Sequence, residues 1–450
     1  MASTGSWESW EDGVLNDYNR SSRRRLAPIA AICAVGIVAA ACQSSSGGSS
    51  GGSAGGPSAK KSHSPNTVQL SITPANGSSG ADPRKGITVT ATKGTLKSVD
   101  VTGDDTGVRA VRGTMNSSKT AWHSDWTLPL FRTLTVTATG VDSSGHSVTQ
   151  TSTFKTLRPS RTFSTNIFEG YKSSYGVGMP IMLTFSQPIT NRAAVERALQ
   201  IKTSKPVVGA WYWDNSRTLA FRPRTYWPAH TNVSFVARLD GVEGSKGVYG
   251  NHTLTQQFSI GRSLIVVASA HRHHMWLYKN GKLLRHWPIS TGRPGHDTPM
   301  GTYLTIEKGN PVVMKGPGYR IKVPWSVRFT WSGDYLHDAF WSVNQQGFEN
   351  VSHGCVNMPP AAAKFYYKMS VPGDPVTIVG SPRPGVWDNG WTQWFLSWPQ
   401  LLKGSSLHQA VMAGPDGSTF VDPSTVPAAT AHSPLGTSKP GNSRAGLRKN

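Results

Sequence analysis

The most informative segment of this 450-residue chain reads Ser352-His353-Gly354-Cys355-Val356-Asn357. Its cysteine is one of three in the chain, and the other two precede residue 43. A second histidine, His337, lies a short way upstream. A thiol and a histidine that the fold brings together supply the nucleophile and the base of covalent acyl transfer. The sequence therefore predicts a catalytic domain built around Cys355, with its site on loops.

The reactivity of Cys355 depends on what surrounds its sulfur. A free cysteine is mostly protonated at neutral pH and becomes an effective nucleophile when a histidine or oriented amides favour the thiolate. Gly354 permits a tight path on which the amides from Ser352 to Cys355 turn toward one point and form an oxyanion hole. The residues leave two assignments open: His337 is the base, or His353 is the base and His337 is a positioning group.

The segment lies in a predicted domain, residues 262–381, that we expect to be mostly β. Alternating apolar runs such as residues 264–268 predict strands. Asn280-Gly281 between two such runs is the strongest short-range signal of a β-hairpin. After the site, residues 359–369 predict a helix and residues 374–379 a closing strand.

Two β-sandwich modules are predicted upstream, at residues 66–158 and 159–261. Short alternating apolar runs recur in both, and turn signals divide them at the spacing typical of sandwiches. A short helical pattern at residues 191–199 interrupts the second module. Trp211 and Trp213 alternate as strand residues do, so we expect them to pack in a core or between domains rather than to bind glycan.

Residues 1–42 are predicted to be an export signal. Arg23 to Arg25 precede a sixteen-residue apolar run that ends in small residues before Cys42. A basic region, a short apolar region and small residues at the cleavage site describe a secretory signal peptide. The alternative is an uncleaved anchor, although sixteen residues fall short of the roughly 20 that a spanning helix needs. Residues 43–65, rich in Gly and Ser, predict a flexible linker.

The cysteine that follows Ala39-Ala40-Ala41 makes this region similar to a bacterial lipoprotein signal. The resemblance implies cleavage before Cys42, diacylation of that residue, and a protein held on the outer side of the cell membrane, facing the cell wall.

The C-terminal part of the chain divides into a Trp-rich segment and a tail. Residues 382–404 contain Trp387, Trp391, Trp394 and Trp398, and the last three share one helical face, which predicts packing against the catalytic domain. Residues 405–450 are rich in Ser, Pro, Gly and Ala and predict a disordered tail.

Charge and histidine content limit the partners. The net charge of +22 predicts attraction to polyanions, whether nucleic acid, anionic lipid or an acidic cell wall. Histidines also cluster at positions 271, 273 and 274, but no second cysteine or carboxylate cluster completes a tetrahedral zinc site near them or near Cys355. We therefore expect neither a metal nor a cofactor.

The catalytic segment resembles the motif of the L,D-transpeptidases of the YkuD type. That motif is a histidine, a gap, and then Ser/Thr-His-Gly-Cys-x-Asn, and here fourteen residues separate His337 from Ser352. The resemblance covers residues 262–380. With the upstream modules and the lipoprotein-like signal, the chain is similar to actinobacterial members of the family. This implies a mainly β chain with two tandem immunoglobulin-like sandwiches, a β-rich YkuD-like domain and a short C-terminal helical segment.

The resemblance also implies roles for individual residues. Cys355 would be the nucleophile and His337 the base, with backbone amides around His353, Gly354 and Cys355 as the oxyanion hole. One position departs from related enzymes, which often have Ser where this chain has Asp338, so a triad role at that position is in doubt. The residues expected to bind substrate or support the loop are Met300, Tyr319, Asp338, Trp341, Ser352 and Asn357.

The reaction that the resemblance implies is a 3→3 cross-link between peptidoglycan stems. The thiol would attack the bond between the third residue of a tetrapeptide stem and its D-alanine, and the acyl group would pass to the side-chain amine of another stem. Carbapenem β-lactams would acylate the same cysteine, and nucleic acid is not an expected partner. The alternatives are a carboxypeptidase, an enzyme that anchors proteins to the wall, and a wall-binding scaffold without activity.

Overall fold

The computed structural model describes residues 67–104, 111–316 and 319–426. The predicted signal peptide, the lipidation of Cys42 and the linker lie outside the described residues. Among the residues that are described, no helix is both long and apolar enough to cross a membrane. The mainly β architecture that the sequence predicts is confirmed.

The first module is a sandwich of two antiparallel sheets. Its strands are β1 Gln69–Thr73, β2 Thr88–Thr92, β3 Thr95–Gly103, β4 Gly113–Met115, β5 Ala121–Ser124, β6 Thr133–Val141 and β7 Ser147–Lys155. One sheet has the order β1-β2-β5-β4 and the other β3-β6-β7. Every second residue of β6 is buried, including Leu134, Val136 and Ala138, because successive side chains of a strand point to opposite faces.

The second module is a larger sandwich with one short helix. Its strands are β8 Arg161–Phe163, β9 Thr165–Ile167, β10 Ser174–Tyr175, β11 Ile181–Phe185, β12 Leu199–Thr203, β13 Val207–Trp213, β14 Thr218–Pro223, β15 Thr231–Arg238, β16 Glu243–Ser245, β17 Val248–Gly250 and β18 Thr253–Ile260, and its helix is α1 Arg192–Arg197. The sheet β10-β18-β15-β12 is paired with a sheet that contains β13-β14-β11-β9. Trp211 and Trp213 are buried in the core, as predicted.

The third domain holds the strands that carry the catalytic segment. Its strands are β19 Leu264–Ser269, β20 His274–Lys279, β21 Lys282–Pro288, β22 Gly301–Leu304, β23 Lys308–Gly309, β24 Val312–Gly316, β25 Tyr319–Val323, β26 Ser326–Arg328, β27 Tyr335–Asp338, β28 Val356–Met358 and β29 Pro375–Val379, and its helix is α2 Pro360–Met369. The sheets are β21-β20-β19-β29-β22, β23-β26-β27-β28 and the hairpin β24-β25. Asn280 and Gly281 both have positive φ, 48° and 79°, and form the predicted hairpin turn.

The C-terminal region corrects two predictions. After a 3₁₀ turn at Gln393–Phe395 comes a helix, α3 Trp398–Gly404, so no single helix carries the tryptophans from 391 to 398. Residues 405–426 are not a disordered tail, because they contain two strands, β30 Ala410–Gly414 and β31 Gly417–Val421, and β30 extends the second module's sheet beside β13. The Ser-, Pro- and Gly-rich sequence around this hairpin concealed it, because β30 is stabilised by pairing with β13, a strand distant in sequence. Residues 427–450 lie outside the described part.

A buried carboxylate fastens this hairpin to the second module. Glu196 accepts hydrogen bonds from Trp213 Nε1, from Ser405 Oγ and from the Ser406 amide, each at 2.7 Å. The side chain of Glu196 is fully buried. A buried charge is stable only when its oxygens are satisfied in this way.

Replacing Glu196 with alanine is expected to lower the free energy of unfolding by about 3 kcal/mol, because it leaves several buried donors without an acceptor. Urea unfolding followed by tryptophan fluorescence measures the change. The matched control is Glu349→Ala, since the Glu349 side chain is exposed and should change stability little. Equal unfolding curves for the two variants would contradict the role given to Glu196.

Candidate active site

Two parallel strands place the histidine beside the cysteine segment. In the β27–β28 pair, Leu336 lies opposite Val356 and His337 lies opposite Asn357. Leu336 and Val356 are buried in the domain core, so His337 points to the other face of its strand. Cys355 directly precedes β28. The side chains of His337 and Cys355 consequently line the same cavity, whose volume is about 560 Å³.

Most of the predicted site residues line the cavity, together with several residues that the sequence did not predict. Met314, Ile321, Val323, Ser342, Gln345 and Val351 are the lining residues that were not predicted. The lining residues that were predicted are His337, Cys355, Tyr319, Trp341, Ser352, His353 and Asn357. Met300 is not among the described residues that line the cavity, and its amide donates to the carbonyl of Arg383. A substrate contact by Met300 stays a prediction.

The β24–β25 hairpin forms one wall of the cavity. Met314 lies opposite Ile321 and Val312 opposite Val323, so their side chains share one face of the hairpin. Met314, Ile321 and Val323 line the cavity, whereas Lys315, Arg320 and Lys322 alternate with them and are exposed. The alternation of apolar and basic residues at positions 320–323, after a Gly-Pro-Gly sequence, was the signal that could have identified the wall.

The imidazole of His337 is held in one tautomer. Its Nδ1 lies 2.8 Å from the carbonyl oxygen of Asp338. A carbonyl only accepts, so Nδ1 carries the proton and Nε2 keeps a free lone pair. Burial lowers the pKa of His337 to about 4, against the opposing effect of the Asp338 carbonyl. The ring also stacks on Trp341, with centroids 5.9 Å apart. His337 is therefore a neutral, oriented base at neutral pH.

Asp338 does not act on this histidine through its carboxylate. The carboxylate is buried, and its Oδ1 has no hydrogen-bond partner among the described residues. Burial raises the pKa of Asp338, which disfavours a charged form. Because the backbone carbonyl performs the orientation, the exchange of Ser for Asp at this position leaves the tautomer of His337 intact.

Cys355 rests as a thiol. Its Sγ lies 3.8 Å from the carbonyl oxygen of Gly333, to which it donates. Burial and the charge of Asp334 raise the pKa of Cys355 to about 12, although the amide of Tyr335 opposes the shift. The resting pair is thus a neutral thiol and a neutral imidazole rather than an ion pair. Proton transfer to His337 then accompanies the attack on a bound carbonyl.

The loop before Cys355 is fixed by one hydroxyl. Ser352 Oγ donates to the Cys355 carbonyl at 2.6 Å and accepts from the Gly354 amide at 3.1 Å. The Gly354 amide is thus engaged by Ser352 in this structure, and its part in the oxyanion hole stays a prediction. The Cys355 amide donates in none of the hydrogen bonds found among the described residues, so it is the candidate oxyanion donor. Gly354 itself supplies a φ of +130°.

His353 lies at the exposed mouth of the cavity. Its ring is 5.2 Å from the rings of Tyr319 and His296, measured between centroids. Partial burial and the charges of Arg293 and His296 lower the pKa of His353. A buried, oriented imidazole is better suited to proton transfer than an exposed one, so the geometry favours His337 as the base and His353 as a substrate contact.

Asn357 supports the floor of the site. Its Nδ2 donates to Ser342 Oγ at 2.9 Å, and its backbone exchanges two hydrogen bonds with Ser290. The Ser342 contact joins β28 to the segment that carries Trp341, and the Ser290 contacts join it to the segment that follows β21. In the described ranges, no group of three His, Cys, Asp or Glu side chains is arranged to hold a metal ion.

Acylation of Cys355 is expected to keep its full rate from about pH 8 down to about pH 5.5, and to fall to half near the His337 pKa of about 4. Only the neutral imidazole accepts the thiol proton, and burial favours that form, so the loss lies well below the ordinary histidine pKa. The rate of adduct formation with a carbapenem β-lactam, followed by intact-protein mass spectrometry, measures the profile. A half-maximum near the ordinary value of 6.5, with the fold intact by circular dichroism, would contradict this assignment.

Family models and curated relatives both match this chain to L,D-transpeptidases. Residues 78–243 match a bacterial Ig domain and residues 262–378 match the L,D-transpeptidase catalytic domain YkuD. L,D-transpeptidase 2 of Mycobacterium tuberculosis is 30% identical over 351 residues, which cover 75% of this chain and 85% of that protein. L,D-transpeptidase 1 of the same organism is 39% identical over 215 residues, which cover 46% and 80%.

A solved structure of the L,D-transpeptidase LdtMt1 in complex with imipenem is 37% identical, with a TM-score of 0.41, and the match covers 48% of this chain and 97% of that one. The family matches fit the predicted order of immunoglobulin-like modules followed by a YkuD-type domain, although the Ig match extends across both sandwiches. The chain therefore belongs to the L,D-transpeptidase family and is a cysteine-dependent acyltransferase.

Proposed function

We propose that this L,D-transpeptidase forms 3→3 cross-links in peptidoglycan through an acyl-enzyme on Cys355. The observation that carries the proposal is the cavity that is lined both by Cys355 and by a neutral His337 whose Nε2 is free to accept a proton. Family membership supplies the reaction type, and the cavity supplies the nucleophile and base that it needs.

The first half of the reaction makes a thioester. The Cys355 sulfur attacks the carbonyl carbon of the third stem residue while its proton moves to His337 Nε2. The oxyanion that forms is stabilised by a backbone amide, for which Cys355 is the candidate. When the tetrahedral intermediate collapses, the carbon–nitrogen bond breaks, and the imidazolium gives its proton to the leaving amine of D-alanine.

The second half returns the enzyme to its resting state. The neutral side-chain amine of an acceptor stem attacks the thioester, and His337 takes one of its protons. The carbon–sulfur bond then breaks, the thiolate recovers a proton, and an amide joins the two stems. The apolar wall of Met314 and Ile321, together with Trp341, limits the access of water that would otherwise hydrolyse the thioester.

The test is product analysis. The full-length protein in detergent is mixed with a disaccharide-tetrapeptide, and the products are resolved by mass spectrometry. We expect dimers that have lost one D-alanine. Loss of D-alanine without dimers would replace transpeptidation by carboxypeptidase activity, dimers only when a wall protein is supplied would indicate protein anchoring, and unchanged substrate would leave only a wall-binding scaffold.

Carbapenems are expected to acylate Cys355. The strained β-lactam offers an electrophilic carbonyl to the same thiol, and ring opening retains every atom, so the protein mass should rise by the full mass of the inhibitor. LdtMt1, which is similar to this chain, has been solved with imipenem. Intact-protein mass spectrometry makes the measurement, with Cys355→Ala as the control. If the mass of the protein with Cys355 intact does not change after incubation with the carbapenem, the proposal is contradicted.

The place of action follows from the N-terminal sequence. We propose export and diacylation of Cys42, which would anchor the enzyme on the membrane while the basic chain faces an anionic wall. Support comes from the basic residues, apolar run and small residues before Cys42. Incorporation of labelled palmitate should be lost in Cys42→Ala. Incorporation that persists in this variant would exclude the site.

A further inference from the structure

A buried carboxylate lies behind the catalytic thiol, in a turn that the sequence analysis did not single out. Asp334 Oδ2 accepts from Thr330 Oγ1 at 2.7 Å and from Ser332 Oγ at 3.0 Å. The amide of Asp334 donates to Thr330 Oγ1 at 2.8 Å, which closes the turn. The side chain of Asp334 is thus fixed in position and orientation.

The other oxygen of this carboxylate packs against the cysteine loop. A methyl group added to Gly354 would lie 2.5 Å from Asp334 Oδ1. Gly354 immediately precedes the nucleophile, and Gly333, whose carbonyl accepts from the Cys355 thiol, immediately precedes Asp334. One side chain therefore connects the two segments that determine where the sulfur sits.

The turn is also fastened from the C-terminal segment. Asn389 Oδ1 accepts from the Ser332 amide at 2.8 Å, and Asn389 Nδ2 donates to Ser332 Oγ at 2.9 Å. The hydroxyl that holds Asp334 is thus itself held by residue 389. This reciprocal pair explains how a short turn keeps a carboxylate in place beside a reactive thiol.

We propose that Asp334 is a positioning residue of the acyl-transfer reaction, which holds the Gly354 corner and the Gly333 carbonyl so that the Cys355 thiol stays on Gly333 until a donor is bound. Asp334 is not among the described residues that line the cavity, so it acts through Cys355 and not on the substrate. The proposal rests on Cys355 being the nucleophile of the proposed function.

The electrostatics agree with this geometry. The charge of Asp334 adds to burial in raising the pKa of Cys355, so the resting enzyme exposes little thiolate. A thiolate is the form that oxidants and alkylating agents attack. The Asp334 carboxylate therefore suppresses unselective reactions of the thiol, while His337 remains free to take the proton during catalysis.

The test is Asp334→Asn in the full-length protein, because asparagine keeps the shape and an acceptor oxygen but removes the charge. The rate of iodoacetamide alkylation at Cys355, read by site-resolved mass spectrometry from about pH 8 to about pH 10, is expected to rise about tenfold, as for a thiol pKa lowered by one unit. The rate of D-alanine release should fall, because a neutral amide accepts from the Thr330 and Ser332 hydroxyls less strongly than a carboxylate and therefore braces the Gly354 corner less firmly. The control is Asp388→Asn, because Asp388 is exposed and lies beside Asn389. Cys355 in this variant should be alkylated at the same rate as in the unmodified protein.

A second variant separates charge from bracing. Ser332→Ala removes one hydroxyl from the turn but leaves the Asp334 charge in place, so its alkylation rate should stay within about twofold of the unmodified protein. Equal alkylation of folded Asp334→Asn and the unmodified protein would overturn the proposal. Alkylation of Cys355 requires no donor stem, so its rate tests the role of Asp334 whether or not the protein is a transpeptidase. A failure of the proposed function would be seen in the product analysis instead.

Discussion

Replacing Cys355 with alanine is expected to reduce transpeptidation by more than about 10⁴-fold, because Cys355 is the one thiol among the described residues that line the cavity. The fold should survive, since the polar contacts of the side chain are weak ones, to the Gly333 carbonyl at 3.8 Å and to the Tyr335 amide. Dimer formation from the disaccharide-tetrapeptide measures the activity, and circular dichroism and thermal unfolding measure the fold.

The comparison with the unmodified protein decides between enzyme and scaffold. Residual dimer formation in Cys355→Ala above the level of a heat-denatured sample would remove the thioester from the mechanism. A loss of activity accompanied by a large fall in the unfolding temperature would contradict the claim that the thiol has little structural role.

Replacing His337 with glutamine is expected to slow acylation by about 10²- to 10⁴-fold, the usual contribution of a positioned general base. Glutamine is similar in size but cannot take the thiol proton, and the thiol of Cys355, with a pKa of about 12, does not ionise unaided at neutral pH. The rate of imipenem adduct formation measures the loss without involving an acceptor.

His353→Gln is the matched comparison, because this second histidine lines the same cavity but is exposed at its mouth. We expect this variant to slow acylation by less than about tenfold, which is the size of effect expected when a substrate contact is lost. Loss of the general base would slow acylation far more. The opposite order of the two variants would assign the base to His353, the alternative that the sequence alone left open.

The chemistry of this chain could be predicted from sequence because its residues occur in one short motif at a readable spacing. The motif alone predicts Cys355 and His337 as nucleophile and base, and the parallel β27–β28 pair places both residues on one cavity. The period of two in strands such as β6 likewise made the sandwiches predictable, since that period follows directly from strand geometry.

Backbone groups explain most of what sequence could not show. The carbonyl of Asp338 orients His337, and the hydroxyl of Ser352 occupies the Gly354 amide. Every residue has a backbone carbonyl, and every residue except proline has a backbone amide. The side-chain pattern of the sequence therefore does not reveal which of these groups makes either contact. The same reason hid the Gly333 carbonyl, which accepts from the thiol.

Contacts between residues far apart in sequence explain the remaining differences between the sequence predictions and the structure. The β30–β31 hairpin has an unremarkable composition, yet β30 pairs with β13, about two hundred residues earlier, and buries Val411 and Ala413. Asp334 was overlooked for a similar reason, because its importance arises from contact with Gly354, twenty residues later. Such contacts become visible only when the chain is folded.

The most direct test of the mechanism is to trap the acyl-enzyme. The full-length protein is mixed with a tetrapeptide donor, quenched in acid within the first turnover, digested and mapped by mass spectrometry. We expect the peptide that contains Cys355 to carry the donor without its D-alanine, joined as a thioester. An acyl group on any other residue, or turnover without a modified Cys355 at any quench time, would contradict cysteine acyl transfer in this protein.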